Sequence, residues 1–221
     1  MILRNGPQDS MTMSSQEYLL FHDLGIAVII LVSIIVGGLL IGFSFNALVE
    51  TETNENKNLE IVWTVVPACI LIGLAFPSIK LLYLIDCPSS ASNINNVKVV
   101  GHQWYWNYQY DAFGVSLNYD SYMVGDDDLL EGDFRLLEVD NPLVISEGVM
   151  TQFFVTSADV IHSFAVPALG LKLDAIPGRL NMQAALPLFY GSFYGQCSEI
   201  CGADHSFMPI NIEVGQNLIE G

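Results

Sequence analysis

The sequence predicts a hairpin of two membrane-spanning helices followed by an all-β domain, because its apolar residues follow two different patterns. Hydrophobic residues make up 52% of the 221-residue chain, a content that suits either a globular or a part-membrane protein. Up to residue 85 they are concentrated in two long blocks, whereas from Asp86 onward they are scattered among turn residues and charges. The two regions are therefore expected to face different solvents.

The first block, Leu24 to Leu48, has no charged residue over 25 positions and is long enough to cross a bilayer as a helix. A cleaved signal peptide is the alternative interpretation. Against it, the block exceeds the usual apolar core of a signal peptide and begins after 23 residues. Acidic residues also follow it, where a signal peptide would have a small-residue cleavage site.

The second block, residues 61–79, is also uncharged and is extended to residue 85 by a segment whose Lys80 can reach the membrane interface. Pro67 and Pro77 predict a bend in this helix. The linker at 49–60 is too short to fold by itself, so the helices are predicted to form a hairpin with both chain ends on one side. Lysine and arginine residues are distributed almost evenly around the two helices, so they do not indicate which side of the membrane this is.

The predicted organisation is an N-terminal segment at 1–23, a transmembrane hairpin at 24–85 with helices at about 24–48 and 61–85, and one folded domain at 86–221. Runs rich in β-branched and aromatic residues, separated by turn residues, predict strands in that domain. The runs are 97–110, 134–140, 143–149, 150–159, 180–186, 189–197 and 208–214. Their spacing predicts an antiparallel sandwich or small barrel, with an exposed acidic loop at 118–133.

The folded domain is strongly acidic. Residues 86–221 contain 17 acidic and 4 basic residues, which gives most of the chain's formal charge of −17. Nucleic acid is excluded as a partner because its phosphates would be repelled. An acidic surface often serves solubility alone, and a basic docking partner is the second interpretation.

The strongest local signal is a group of soft metal ligands near the end of the chain. Cys197, Cys201, His205 and Met208 fall within twelve residues, and His162 offers a second imidazole. Sulfur with imidazole selects copper or zinc over magnesium or calcium. Cys69 and Cys87 are not grouped with other candidate ligands in the sequence and are interpreted as ordinary small apolar residues.

Four interpretations of this group remain open from spacing alone. A tetrahedral zinc would use both cysteines and both histidines but leave Met208 without a role. A single blue-copper ion would leave one cysteine over. Two coppers sharing both thiolates would use every ligand together with a backbone carbonyl. A plain disulfide between Cys197 and Cys201 is the interpretation without a metal.

Five segments form long, ordered motifs: Phe21-His22-Asp23, GHQWYWNYQY (101–110), RLLEVDNP (135–142), DAIPGRLN (174–181) and YGQCSEICGADHSFMPI (194–210). Through these motifs the chain closely resembles the second subunit of haem–copper cytochrome c oxidase, most like the mitochondrial form. The match that they belong to extends over nearly the whole chain. The resemblance implies a cupredoxin-like Greek-key barrel that holds a mixed-valence dinuclear copper centre.

The resemblance also implies which residues bind the metals. Its copper ligands are the side chains of His162, Cys197, Cys201, His205 and Met208, with the carbonyl oxygen of Glu199. The carboxylate of Glu199 is then expected to reach a magnesium ion shared with the first subunit.

The function implied by the resemblance is that of the electron-accepting subunit of an oxidase in the mitochondrial inner membrane, with a bacterial plasma membrane as the alternative. The copper domain would lie in the intermembrane space and take electrons from cytochrome c at Trp104. It would pass them to the haem-bearing first subunit, where oxygen is reduced to water with proton pumping. The alternative function is a membrane-anchored structural or assembly protein with a zinc-bound or disulfide-stapled β domain.

Other positions carry secondary expectations. Asp111, Asp140 and Asp159 are candidates for docking a basic cytochrome. Glu60 matches a family position at the mouth of a proton pathway, although an acidic residue at a helix start also has an ordinary electrostatic explanation. Two residues depart from the family pattern: Gln109 where many relatives have an acid, and Phe164 where a tryptophan is common.

Overall fold

The computed structural model describes residues 7–47, 54–86, 94–112 and 115–215. Within these ranges the chain forms two long helices, α1 (Met13–Ser44) and α2 (Lys57–Asp86), followed by ten β-strands. It divides into a helical unit, residues 17–84, and a β unit made of the described residues before and after it. The predicted class, two apolar helices followed by an all-β domain, is confirmed.

Both helices are long and apolar enough to cross a membrane, and their apolar side chains are not buried by the chain itself. A salt bridge of 3.4 Å joins Nζ of Lys80, late in α2, to a carboxylate oxygen of Glu17, early in α1. Because the start of one helix contacts the end of the other, the two helices run antiparallel, as a hairpin requires.

The helices start earlier than the uncharged blocks do, because polar residues cap them. The Thr12 hydroxyl oxygen accepts a hydrogen bond of 3.0 Å from the backbone N–H of Ser15 at the start of α1. The Asn56 side-chain oxygen accepts one of 3.1 Å from the N–H of Leu59 at the start of α2. Such caps satisfy N–H groups of the first turn, which have no partner inside the helix.

The β unit is a sandwich of two five-stranded sheets. The first has the order β3-β2-β1-β5-β8 and the second the order β4-β10-β9-β6-β7. The first sheet contains β1 (Ile94–His102), β2 (Tyr105–Ala112), β3 (Val115–Ser121), β5 (Met150–Ser157) and β8 (Asn181–Ala185). The second contains β4 (Leu143–Ser146), β6 (His162–Val166), β7 (Leu171–Ala175), β9 (Gly191–Cys197) and β10 (Pro209–Gly215). Pairing is antiparallel except for β1 with β5 and β4 with β10, which run parallel.

Aromatic side chains from both sheets form the centre of the core. Trp106 and Phe153 from the first sheet and Phe164 from the second are fully buried. The rings of Trp106 and Phe164 meet edge to face at 5.2 Å, a favoured arrangement of aromatic pairs. The departure at position 164 therefore keeps an aromatic ring in the core.

Part of the strand prediction is wrong. Residues 134–140 form turns, with one isolated bridge between Met123 and Val139. The Glu138 carboxylate stabilises these turns. It accepts hydrogen bonds from the N–H of Phe134 at 3.2 Å and from the Tyr194 hydroxyl at 2.7 Å. Three further strands were not predicted: β3, which begins before the acidic run, and the short strands β6 and β7.

The residues before α1 pack on the β unit, which the sequence did not indicate. The N–H of Met11 donates to the carbonyl of Ala168 at 2.8 Å, and the carbonyl of Met11 accepts from the N–H of Leu188 at 3.0 Å. The Thr12 hydroxyl donates to the carbonyl of Leu169 at 3.1 Å and is buried. This segment is therefore an integral part of the β unit.

Candidate metal centre

Two neighbouring strands bring the first pair of candidate ligands together. His162 begins β6 and Cys197 ends β9, and these strands pair antiparallel with Phe164 opposite Cys197. The strands approach so closely that a Cβ on Gly195 would collide with the carbonyl oxygen of Ala165. A residue without a side chain is therefore required at 195 for this arrangement.

The thiol of Cys197 has an imidazole and a carbonyl beside it. Its Sγ lies 4.0 Å from Nδ1 of His162 and 3.3 Å from the backbone carbonyl oxygen of Glu199. Both the thiol and the imidazole are buried, whereas the Glu199 side chain is exposed. The position thus offers one strong sulfur, one nitrogen and one weak oxygen donor.

The thiol of Cys201 has a matching set of donor atoms beside it. Its Sγ lies 3.6 Å from Nδ1 of His205 and 3.5 Å from Sδ of Met208. Cys201 and Met208 are buried, and His205 is half-buried. The other four ligand atoms implied by the resemblance thus lie within 4.0 Å of one or the other of these two sulfurs.

The two sulfurs are not bonded to each other. Cys197 Sγ and Cys201 Sγ lie 4.0 Å apart, and both thiols are free, whereas a disulfide bond measures about 2 Å. The disulfide interpretation is therefore wrong. Ligand atoms of His162, Cys197 and Cys201 all lie within 4.8 Å of one another, close enough to hold a metal ion. The sulfur and imidazole donors fit a soft metal such as copper.

Asp159 holds the buried histidine in its orientation. Its Oδ1 lies 2.8 Å from Nε2 of His162, which leaves Nδ1 facing the thiol of Cys197. Burial raises the pKa of Asp159, but hydrogen bonds from His162 and from the backbone of Val160 and Gln103 outweigh it and lower the pKa below its ordinary value. A carboxylate on the outer nitrogen is the usual device for orienting a metal-binding histidine.

The same contacts set the ionisation of the ligands. Burial lowers the pKa of His162, but hydrogen bonds with Cys197 and Asp159 raise it above its ordinary value. Burial raises the pKa of Cys197, but His162 and nearby backbone groups lower it overall. For Cys201, burial and the neighbouring Cys197 thiolate both raise the pKa. The first thiolate therefore forms readily, and a metal cation would be needed to favour the second.

Trp104 lies at the turn between β1 and β2 and packs against the ligand loop, the segment 197–208 that carries most of the candidate ligands. A Cβ on Gly202 would come within 3.0 Å of Cζ2 of Trp104, so the indole ring packs directly over that glycine. Gly202 follows the ligand Cys201 and has a φ of +129°, which favours glycine. The indole Nε1 of Trp104 is buried and has no hydrogen-bond partner among the described residues.

Of the predicted docking acids, two lie near this turn. The Asp140 carboxylate accepts a hydrogen bond of 2.8 Å from the N–H of Tyr122, whose ring stacks on Tyr105 at 4.5 Å. Asp159 contacts His162 and the backbone of Gln103. Asp111 lies six residues along β2 from Tyr105, about 20 Å away at the usual rise of a strand. The structure therefore separates Asp111 from the other two.

Two further predicted positions have simple surroundings. Glu60 is exposed in the first turn of α2, where a negative charge interacts favourably with the helix dipole. Gln109 lies on the outer face of the first sheet, where its side chain donates to the side-chain oxygen of Asn107 at 2.9 Å.

Sequence reasoning missed two residues of the site, Gly195 and Gln103, and did not indicate which side chain packs over Gly202. Gly195 permits the close approach of β6 and β9, and Gly202 makes room for Trp104. Gln103 bonds to two ligand-bearing segments, through its backbone N–H and its side chain. The glycines lie inside segments that carry the resemblance, but nothing in the spacing indicated what they contact.

Comparison with known proteins identifies the family. The family described as "Cytochrome C oxidase subunit II, periplasmic domain" matches residues 95–215, and the family's transmembrane domain matches residues 3–81. Cytochrome c oxidase subunit 2 of Albinaria caerulea is 47% identical over 197 residues, which are 89% of this chain and 87% of that protein. The same subunit of Metridium senile is 48% identical over 209 residues, 94% of this chain and 84% of that protein.

A solved structure agrees with the sequence relatives. The periplasmic domain of subunit II of cytochrome oxidase of Bradyrhizobium japonicum is 45% identical to this chain and has a TM-score of 0.52. The match covers 58% of this chain and 89% of the Bradyrhizobium chain. Together with the two membrane spans and the sulfur–imidazole site, these matches show that the chain belongs to the cytochrome c oxidase subunit II family and is the electron-accepting subunit of an oxidoreductase complex.

Proposed function

We propose that the site holds two copper ions that share the thiolates of Cys197 and Cys201. The observation that carries the proposal is the duplication of the donor set: each sulfur has one imidazole and one weak donor of its own. One metal ion has no use for two such sets, because a zinc site is complete with four ligands. When bound, the copper pair supplies a one-electron acceptor whose change of charge is spread over two ions.

The protein holds these ligands in fixed positions and shields them from water. The side chain of His162 is fully buried and oriented by Asp159, and Met208 is only 2% exposed. The pairing of β6 with β9 fixes Cys197 opposite Phe164, and the pairing of β6 with β7 fixes His162 opposite Ala175. A centre held this rigidly has little to rearrange when its charge changes, which favours fast electron transfer.

Replacing Met208 by leucine tests copper against zinc. A zinc ion bound by two cysteines and two histidines makes no use of the thioether, so its affinity should not change. A copper pair should keep its metal but shift its reduction potential, because a weak axial ligand tunes that potential. Metal content and potential are measured on the oxidase assembled with the variant chain; a site that holds zinc, or one that holds copper with an unshifted potential, contradicts the proposal.

We further propose that electrons arrive from cytochrome c through Trp104. The packing of its indole ring on Gly202, next to the ligand Cys201, supports this route. Replacing Trp104 by phenylalanine should slow electron acceptance and leave the copper spectrum intact, whereas Trp63→Phe, in helix α2, should change neither the rate nor the spectrum. A wild-type rate in the Trp104 variant contradicts the route, and a lost copper spectrum would make the ring structural.

A basic cytochrome is the proposed donor because the folded domain is acidic. Asp140 and Asp159 lie near the Trp104 turn, and Asp111 would act only as a more distant charge. Long-range attraction between opposite charges raises association rates and is screened over about 10 Å near 0.1 M salt. The association rate should therefore fall as salt increases, and a rate that does not respond to salt would contradict this donor.

The proposal also covers the magnesium ion, the proton pathway and the membrane of the oxidase complex. The exposed carboxylate of Glu199 is available for a magnesium ion shared with the haem-bearing first subunit, and Glu60 for a proton pathway into that subunit. The animal relatives favour the mitochondrial inner membrane, with the copper domain in the intermembrane space and lipid around the helices. Substituting Glu199 by glutamine should remove the magnesium while copper stays; retained magnesium contradicts that assignment.

A further inference from the structure

We propose that Gln103 is a positioning residue that fixes Trp104 against the metal centre by bonding to both segments that carry its ligands. The inference rests on the proposed function, in which Trp104 is the route for electrons. It concerns a different residue and a different property, namely the geometry between the tryptophan and the ligand loop.

The backbone of Gln103 is tied to the histidine side of the centre. Its N–H donates to Oδ2 of Asp159 at 2.7 Å, while Oδ1 of the same carboxylate lies 2.8 Å from Nε2 of His162. Only one carboxylate thus separates the Gln103 backbone from a buried ligand ring. Hydrogen bonds to an ionised carboxylate are stronger than those between neutral groups, so this link is a firm one.

The side chain of Gln103 is tied to the cysteine side. Its Nε2 donates to the backbone carbonyl of Cys201 at 2.7 Å, and this contact is partly buried. Cys201 is a candidate ligand through its Sγ, which lies 4.0 Å from that of Cys197. One residue therefore connects the β1–β2 turn to both ligand-bearing segments, which lie 56 and 98 positions away in the chain.

Gly202 provides the space that this arrangement needs. A Cβ at that position would lie 3.1 Å from Nε2 of Gln103 and 3.0 Å from Cζ2 of Trp104. Both side chains therefore pack over the same glycine, side by side. Any movement of the glutamine amide changes the packing of the indole ring that follows it in the chain.

Trp104 depends on this neighbour because it has no polar anchor of its own among the described residues. Its Nε1 is buried without a hydrogen-bond partner, so the ring is held by packing and by the backbone of the turn. The two hydrogen bonds of Gln103 join that turn to both segments that carry the candidate ligands. Loss of the amide donor should free the ring while His162 and Cys197, which are held by β6, β9 and Asp159, keep their positions.

The test uses two variants of Gln103 in the assembled oxidase. Gln103→Leu removes the donor and keeps the size of the side chain, and Gln103→Glu replaces the donor by an acceptor and adds negative charge. Both should slow the first-order electron transfer from bound cytochrome several-fold, because the rate of electron tunnelling falls steeply as donor and acceptor move apart. The copper spin spectrum should stay that of the wild type.

Gln183→Leu is the matched control. Its Nε2 also donates to a backbone carbonyl, that of Gly170 at 2.8 Å, and is partly buried, but neither residue contacts a candidate ligand. This variant removes that hydrogen bond from the same domain, together with a longer one of 3.4 Å that the Gln183 side chain accepts from the N–H of Lys172. It should transfer electrons at the wild-type rate, so that a general loosening of the fold is separated from a local effect.

Three outcomes overturn the inference. Wild-type transfer in both Gln103 variants means that the amide does not position the ring. Slow transfer in the leucine variant alone, with tighter cytochrome binding in the glutamate variant, makes Gln103 a docking contact. Copper loss in parallel with the rate makes its role structural. The proposed function is judged separately by Trp104→Phe in the same assay, so it can stand when the inference on Gln103 fails.

Discussion

The helical unit and the β unit use the same kinds of apolar residue in opposite ways. Phe76 in α2 is 72% exposed, whereas Phe164 in β6 has no exposed surface. The β unit makes its own core from two facing sheets, and the helices make none. The β unit therefore specifies its geometry from within, as a metal centre requires, while the described parts of the helices need apolar surroundings from outside the chain for their packing.

The largest effect that would test this comparison comes from emptying the core beside the centre. Phe164→Ala should reduce the free energy of unfolding of the β unit by about 3–5 kcal/mol, the usual cost of removing a buried phenylalanine ring. Phe76→Ala, the matched change in α2, should alter that free energy by less than about 0.5 kcal/mol. Denaturant unfolding followed through the copper absorption measures both. Equal losses would mean that the two units are not packed independently.

A charge placed on an exposed apolar position should distinguish the two solvents. Ile35 in α1 and Val144 in β4 are 53% and 42% exposed. Ile35→Arg faces hydrocarbon and should cost about 2.5–3.5 kcal/mol of membrane insertion. Val144→Arg faces water and should leave insertion unchanged. The inserted fraction of each variant, measured by resistance to alkaline extraction, checks the pair; normal insertion of the Ile35 variant would contradict a spanning α1.

The smallest effect is expected for the ion pair between the helices. Nζ of Lys80 and the Glu17 carboxylate lie 3.4 Å apart, and both side chains are largely exposed. Exposed pairs contribute about 0–1 kcal/mol. A double-mutant cycle with Lys80→Met and Glu17→Gln should therefore give a coupling energy below about 1 kcal/mol in detergent. A larger value would mean that the hairpin is held together by this pair.

The sequence predicted the helices well and their ends poorly, for a physical reason. Uncharged blocks indicate the part of a helix that lies in hydrocarbon, but Thr12 and Asn56 start the helices outside that part, among polar residues. The wrong strand at 134–140 has a similar cause. Its apolar and aromatic residues suit a strand, but the Glu138 carboxylate binds Phe134 and Tyr194 and stabilises turns.

The ligands were predictable and their surroundings were not. Residue type and spacing singled out the cysteines, His205 and Met208, and the resemblance completed the set with Glu199. The hydrogen bonds of Gln103 to Asp159 and Cys201 join segments far apart in the chain, so no local pattern carries them. The same holds for Gly195, whose need for a missing side chain arises only when β6 lies beside β9.

The most direct test of the central claim is the electron-spin spectrum of the oxidised full-length chain in its purified oxidase. Two coppers sharing the thiolates of Cys197 and Cys201 predict hyperfine structure from one unpaired electron spread equally over two copper nuclei, and Cys197→Ser should abolish it. A signal confined to one copper nucleus, or a zinc-filled site without any signal, would contradict the account.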